Sequence, residues 1–102
     1  MYAVIRRIKV QPHLVDESIT RMRQGLMPFL KDEPGFIEFS LVMIGENEGV
    51  SITIFETRET AEEGNKKSLE WARDQIFPLA QGPAEIVGVG EVVFSQSKAS
   101  PA

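Results

Sequence analysis

The chain has 102 residues, 42% of them apolar and 25% charged, which suits one globular domain and leaves no room for two. A net charge of −4 weighs against a nucleic-acid surface, which needs clustered Lys and Arg. The lack of cysteine removes disulfides, thiolate catalysis and thiolate-bound metals together.

The first stretch, "YAVIRRIKV" (2–10), is rich in β-branched residues and predicts a strand. Tyr2, Val4, Arg6 and Ile8 fall on one side, and Ala3, Ile5, Arg7 and Lys9 on the other. Two arginines stand where a signal peptide needs its apolar stretch, and no run approaches the ~18 apolar residues of a membrane span. These features predict a cytoplasmic, soluble protein with no membrane partner. Pro12 breaks the strand. A helix is expected from about Leu14 to Lys31, because Val15, Ile19, Met22, Leu26 and Phe29 recur at steps of 4, 3, 4 and 3. Gly25 and Pro28 predict a kink or an early end in its second half.

"DEPG" (32–35) stops that helix. The second strand, about 36–44, is apolar on both faces: Ile37, Phe39, Leu41 and Met43 on one, Phe36, Val42 and Ile44 on the other. "GENEG" (45–49) reads as a hairpin loop. The third strand, "VSITIFE" (50–56), alternates Val50, Ile52 and Ile54 with Ser51, Thr53 and Phe55. A second helical region over 57–82 buries a stripe of Ala61, Asn65, Ser68 or Leu69, Ala72, Ile76 and Leu79, with a break expected at Gly64. "AEIVGVGEVVF" (84–94) is the fourth strand, with bulges or close approach expected at Gly88 and Gly90. The domain is expected to span residues 1–95, and residues 96–102 to form a disordered tail.

The order β-α-β-β-α-β, with right-handed crossovers, predicts an α+β, ferredoxin-like fold: a four-stranded antiparallel sheet with two helices on one face. The other face then has no cover from its own chain. Its apolar side chains would invite aggregation on a monomer, so a homodimer through the sheet face, a dimeric α+β barrel, is expected. An apolar chamber between sheet and helices suits a small apolar or aromatic ligand. RNA-recognition domains share this order of elements, but strand three offers none of the exposed aromatic and basic residues they need, so no nucleic acid is expected.

Several stretches are similar to a known family. "KVQP" (9–12), "DEPGFIEFSL" (32–41), "ITIFETRETAEEGNKKS" (52–68) and "PAEIVGVGEV" (83–92) together resemble the antibiotic biosynthesis monooxygenase (ABM) domains of the dimeric α+β barrel superfamily. The resemblance implies a small-molecule enzyme, a cofactor-independent monooxygenase acting on an aromatic or quinol-type compound, with no metal or flavin. There are departures. Many members carry a histidine where Asn65 stands, and His13 replaces the usual glycine after the first-strand proline. Members that degrade haem share a first-strand Asn, a Trp and a helix-two His, and this chain keeps only a tryptophan, Trp71.

Candidate catalytic residues are Asn65, Trp71 and His13; candidate substrate contacts are Arg6, Arg7 and Tyr2. Each has a plainer reading. His13 is the only histidine, able to act as acid or base near neutral pH, yet it sits in a connection where a solvated loop residue is ordinary. It has no His or Cys companion for a metal. Trp71 lies one position off the helical stripe, at a pocket rim, at a dimer seam or in the core. Asn65 lies on the stripe, where a buried amide must find partners, in a substrate or in nearby backbone. Arg6 and Arg7 alternate, so one of them points inward, to an anionic ligand or to Glu38 or Glu91. Tyr2 offers a hydroxyl to a pocket or to solvent. Nothing pairs a nucleophile with a base, so the alternative function is a non-catalytic, ligand-binding or stress-related dimeric barrel.

Overall fold

The protein is described here by a computed structural model, in which residues 1–83 and 85–98 are described. Ala84, the expected start of the fourth strand, and residues 99–102 of the expected tail lie outside the described residues. Four strands, β1 (Tyr2–Lys9), β2 (Phe36–Ile44), β3 (Glu48–Phe55) and β4 (Glu85–Glu91), form one antiparallel sheet in the order β2-β3-β1-β4. The helical elements are α1 (Val15–Arg21), α2 (Met27–Lys31) and α3 (Arg58–Gln75). Both helical layers lie on one face of the sheet, because Val4, Phe55, Leu26, Leu30 and Ala61 form a single buried cluster. This is the α+β, ferredoxin-like architecture. No described helix is long and apolar enough to cross a membrane.

The period-two pattern of β1 places Val4 in the core and leaves Ala3 and Ile5 on the open face. Val10, also buried, is tied down beyond the strand: its N–H donates to the Asn47 main-chain oxygen at 3.0 Å, and Asn47 Nδ2 donates to the Val10 carbonyl at 2.8 Å. These bonds clamp the end of β1 to the β2–β3 hairpin.

Three sequence expectations are corrected. First, β2 does not split its apolar residues by simple alternation. Phe36 stands opposite Phe55 and Glu38 opposite Ile54, so β2 inserts one extra residue, Ile37, and its side chains change parity there. Phe36, Phe39 and Leu41 therefore share the covered face, while Val42 and Ile44 stay exposed on the open one beside Glu38 and Ser40. Second, the helix from Val15 to Lys31 neither ends early nor runs as pure α-helix. Met22–Leu26 is a π-helical turn between α1 and α2. Pro28 follows it, and its ring would clash with the Gln24 carbonyl in a regular helix; widening the preceding turn avoids that clash. Third, Gly64 does not break α3, which runs unbroken to Gln75 and starts on a Thr57–Thr60 capping box. Gly64 is small because α3 lies on the Phe55 ring, and a side chain there would overlap that ring. Phe55 in turn meets Phe36 edge-on, with ring centroids 6.1 Å apart.

The strand limits shift modestly. β3 begins at Glu48, inside the expected loop, and β4 ends at Glu91, so Val93 and Phe94 project from irregular chain and are almost fully exposed. The β1–β4 register slips between Ile5 and Arg6, next to Gly88, as the glycines suggest.

Candidate active site

The covered face is not filled. Between the sheet and the helices lies a cavity of about 60 Å³. Its floor comes from β1, β2 and β3, including Arg6, Phe39, Leu41, Ser51 and Thr53; its roof comes from Met22 and Leu26 of the π turn and Ser68, Trp71 and Ala72 of α3. Trp71 is held close to the π turn, since a side chain on Gly25 would come within 2.8 Å of the Trp71 ring. The volume holds a few waters; an aromatic ring needs side chains such as half-buried Met22 to move aside, which a flexible thioether does readily.

Arg6 is the charged group of this site. Alternation points it under α3, where helical spacing brings Asn65 and Ser68 to the same face. Arg6 Nε donates to Asn65 Oδ1 at 3.1 Å, and Nη2 donates to the Asn65 carbonyl at 2.8 Å and to Ser68 Oγ at 2.9 Å. Nη2 also donates to Asn65 Oδ1. Ser68 Oγ donates its own hydrogen bond to the Gly64 carbonyl at 2.8 Å. Among the described residues no carboxylate pairs with Arg6, and burial pushes its guanidinium below the ordinary pKa of arginine.

The six candidate residues scatter. Arg6 and Trp71 meet on the cavity wall. Asn65 is not on the wall; it holds Arg6. Arg7 borders the cavity through its strand, but its guanidinium lies on the open face, 3.3 Å from Glu48. Neither arginine pairs with Glu38 or Glu91. Tyr2 packs, half-buried, against the core cluster, away from the cavity wall. His13 is exposed on the turn Pro12–Leu14 and lines no part of the cavity. Sequence reading singled out neither Ser51 nor Thr53. The signal was present in the strict alternation of β3, but which side of β3 the helices cover needed the register of Ser51 against Arg6.

Among the described residues no group of three or more His, Asp or Glu is arranged to hold a metal ion. The cavity wall offers no imidazole or thiolate to ligate a haem iron, so its residues do not fit that group.

The pattern of the antibiotic biosynthesis monooxygenase family matches residues 1–66, and the chain belongs to that family. Solved structures agree in fold. The heme-degrader MhuD from Mycobacterium tuberculosis is 23% identical, with a TM-score of 0.71 over 95% of this chain and 100% of that one. A monooxygenase from the gene ActVA-Orf6 of Streptomyces coelicolor, in complex with nanaomycin D, is 14% identical, with a TM-score of 0.70 over 99% and 92%. SnoaB, a cofactor-independent oxygenase from Streptomyces nogalater, is 15% identical, with a TM-score of 0.69 over 97% of each chain. At these identities the likeness is one of architecture. No curated protein matches the sequence.

Proposed function

We propose that this protein is a small-molecule enzyme, a monooxygenase that oxidises an aromatic or quinol-type compound with dioxygen and no cofactor. The observation that carries the reading is the covered cavity of a monooxygenase-family chain: mostly apolar, walled in part by Trp71, with its polar side chains at Arg6, Ser51, Thr53 and Ser68. In such a reaction the substrate itself supplies two electrons and two hydrogens. One oxygen atom of O₂ ends on the substrate carbon and the other leaves as water, so no external reductant is needed. The residues' part is to exclude bulk water, to stack the ring against Trp71 and to direct Arg6 at a substrate oxygen. Asn65 acts through Arg6. His13 and Tyr2, which are off the cavity wall, take no part in this reading.

The enzyme would work as a homodimer joined through the open sheet face. That face carries Ala3, Ile5, Val42, Ile44, Val50, Ile52 and Ile54, and a second copy is the economical cover for so many apolar side chains. A cysteine-free chain suits a reducing cytoplasm. A screen of phenols and quinols for oxygen uptake tests the catalytic reading. Uptake that falls at least about tenfold, or ~1.4 kcal/mol of barrier, in Trp71→Ala supports it; no uptake with any compound overturns it.

One observation favours a second reading, a non-catalytic ligand-binding barrel. No carboxylate or imidazole side chain lines the cavity, so no general base stands ready there. Tight binding of an aromatic ligand without turnover would select that reading.

A further inference from the structure

The polar groups on the cavity wall are hydrogen-bond donors, and one of them carries a charge that the protein leaves unbalanced. Arg6 commits Nε and Nη2 to neutral acceptors on α3. Nη1 has no acceptor among the described residues, and it is not sealed away, since no fully buried side-chain nitrogen there lacks a partner. Its two N–H groups are therefore available to a ligand that reaches Arg6, a residue of the cavity wall. Ser51 stands directly across from Arg6 in the β1–β3 register, and Thr53 follows it on the same face. Neither hydroxyl has a hydrogen-bond partner among the described residues, nor does the indole N–H of Trp71.

Among the described residues no titratable group pairs with Arg6. β3 presents Ser51 and Thr53, α3 presents Asn65 and Ser68, and the π turn presents Leu26 and Met22. The one nearby ion pair, Arg7–Glu48, lies on the opposite face.

We infer that the cavity takes its ligand as an oxyanion: an aromatic or quinoid acid, ionised at a phenol, enol or carboxylic acid oxygen, with that oxygen seated on Nη1 of Arg6. A cation in an apolar wall has lost much of its water without gaining a counter-ion. An incoming anion supplies the counter-ion through charge-assisted hydrogen bonds, roughly twice as strong as neutral ones. The neutral ether of the same ligand would make the same apolar contacts and none of these. Asn65 is then a positioning residue, whose amide and carbonyl oxygens fix the guanidinium plane so that Nη1 stays free. The inference names the substrate class of the proposed enzyme and rests on that reading's choice of the cavity as the ligand site.

The test uses 4-nitrophenol, which ionises near neutral pH and shows its phenolate as a yellow band, and its neutral counterpart 4-nitroanisole. Equilibrium dialysis and spectral titration of the full-length protein are expected to show phenolate binding at least about tenfold tighter than the ether, with the bound phenol's pKa lowered by about one unit. Arg6→Gln should abolish the shift and keep the ether's affinity, while Arg6→Lys keeps most of it. Asn65→Asp places a carboxylate on Arg6 and should also abolish the preference in a folded protein, which keeps the test sound if Arg6→Gln fails to fold. Equal binding of phenolate and ether, an unshifted bound phenol, or no binding of either overturns the inference. Oxygen uptake is read separately. A phenolate held without turnover would sink the monooxygenase reading alone, and turnover without anion preference would sink the anion site alone.

Discussion

The covered and open faces of the sheet are written on the same strands, one residue apart, and they differ in what their side chains are asked to do. On the covered face Val4, Thr53 and Phe55 are almost sealed, and Arg6 is held by the hydrogen bonds it donates to the helix above. On the open face Ile5, Ile52 and Ile54 line up across β1 and β3, β4 sets Gly88 and Gly90 beside Ile5 and Ala3, and the polar groups there, Glu38, Ser40 and the Arg7–Glu48 pair, stand at its edges and ends. A face gains chemistry when a second layer brings acceptors to it. α3 does this for Arg6, and it can come close enough because Gly64 presses on Phe55. A face without a second layer stays a surface to be buried.

The largest effect should come from the centre of the covered face. Phe55→Ala is expected to cost about 3–5 kcal/mol by chemical denaturation, because it empties a fully buried ring site. The same truncation one residue away, Ile54→Ala, should cost less and should depend on protein concentration if a second copy covers it. Equal, concentration-independent losses at both positions would erase the contrast between the faces. Next comes Ile52→Glu at the middle of the open face. A lone carboxylate buried between two sheets should weaken the proposed dimer by at least about 2 kcal/mol, roughly 30-fold, and leave a folded monomer in sedimentation velocity. An unchanged dimer would move the interface elsewhere. Gly64→Ala follows, at about 1–3 kcal/mol of overpacking against the Phe55 ring, read as a drop of several degrees in Tm. A neutral or stabilising result, as helix propensity alone would give, would show that α3 can lift off the sheet.

These positions also mark what one sequence can and cannot tell. The β-α-β-β-α-β order, the faces of β1 and the small-residue stripe of α3 were legible, because each is a local periodicity. The bulge at Ile37 and the π turn at Met22–Leu26 were not. A one-residue slip leaves the same apolar letters in place while changing the face they occupy. Gly64 looked like a break because propensity was all that could be weighed. Its reason is the Phe55 ring, nine residues earlier in the chain and on another element. The site was half legible: one of two arginines had to point inward. What it would meet was not, because the Arg6–Asn65 bond spans 59 residues and no local window contains both partners.

The smallest expected effect falls on the neighbour of the residue that matters most to the site. Arg6 and Arg7 carry the same charge on the same strand, but Arg7 has both water and a carboxylate, at 3.3 Å and with half its side chain exposed. Such pairs contribute between nothing and about 1 kcal/mol, and less as salt rises. Arg7→Ala should therefore leave stability within that range and leave the phenolate preference untouched. Arg6 has neither water in bulk nor a counter-ion, so only there does a bound anion find an unbalanced charge. If Arg7→Ala abolished phenolate binding while Arg6→Gln spared it, the anion would have to sit on the open face, and the cavity under α3 would be packing space alone.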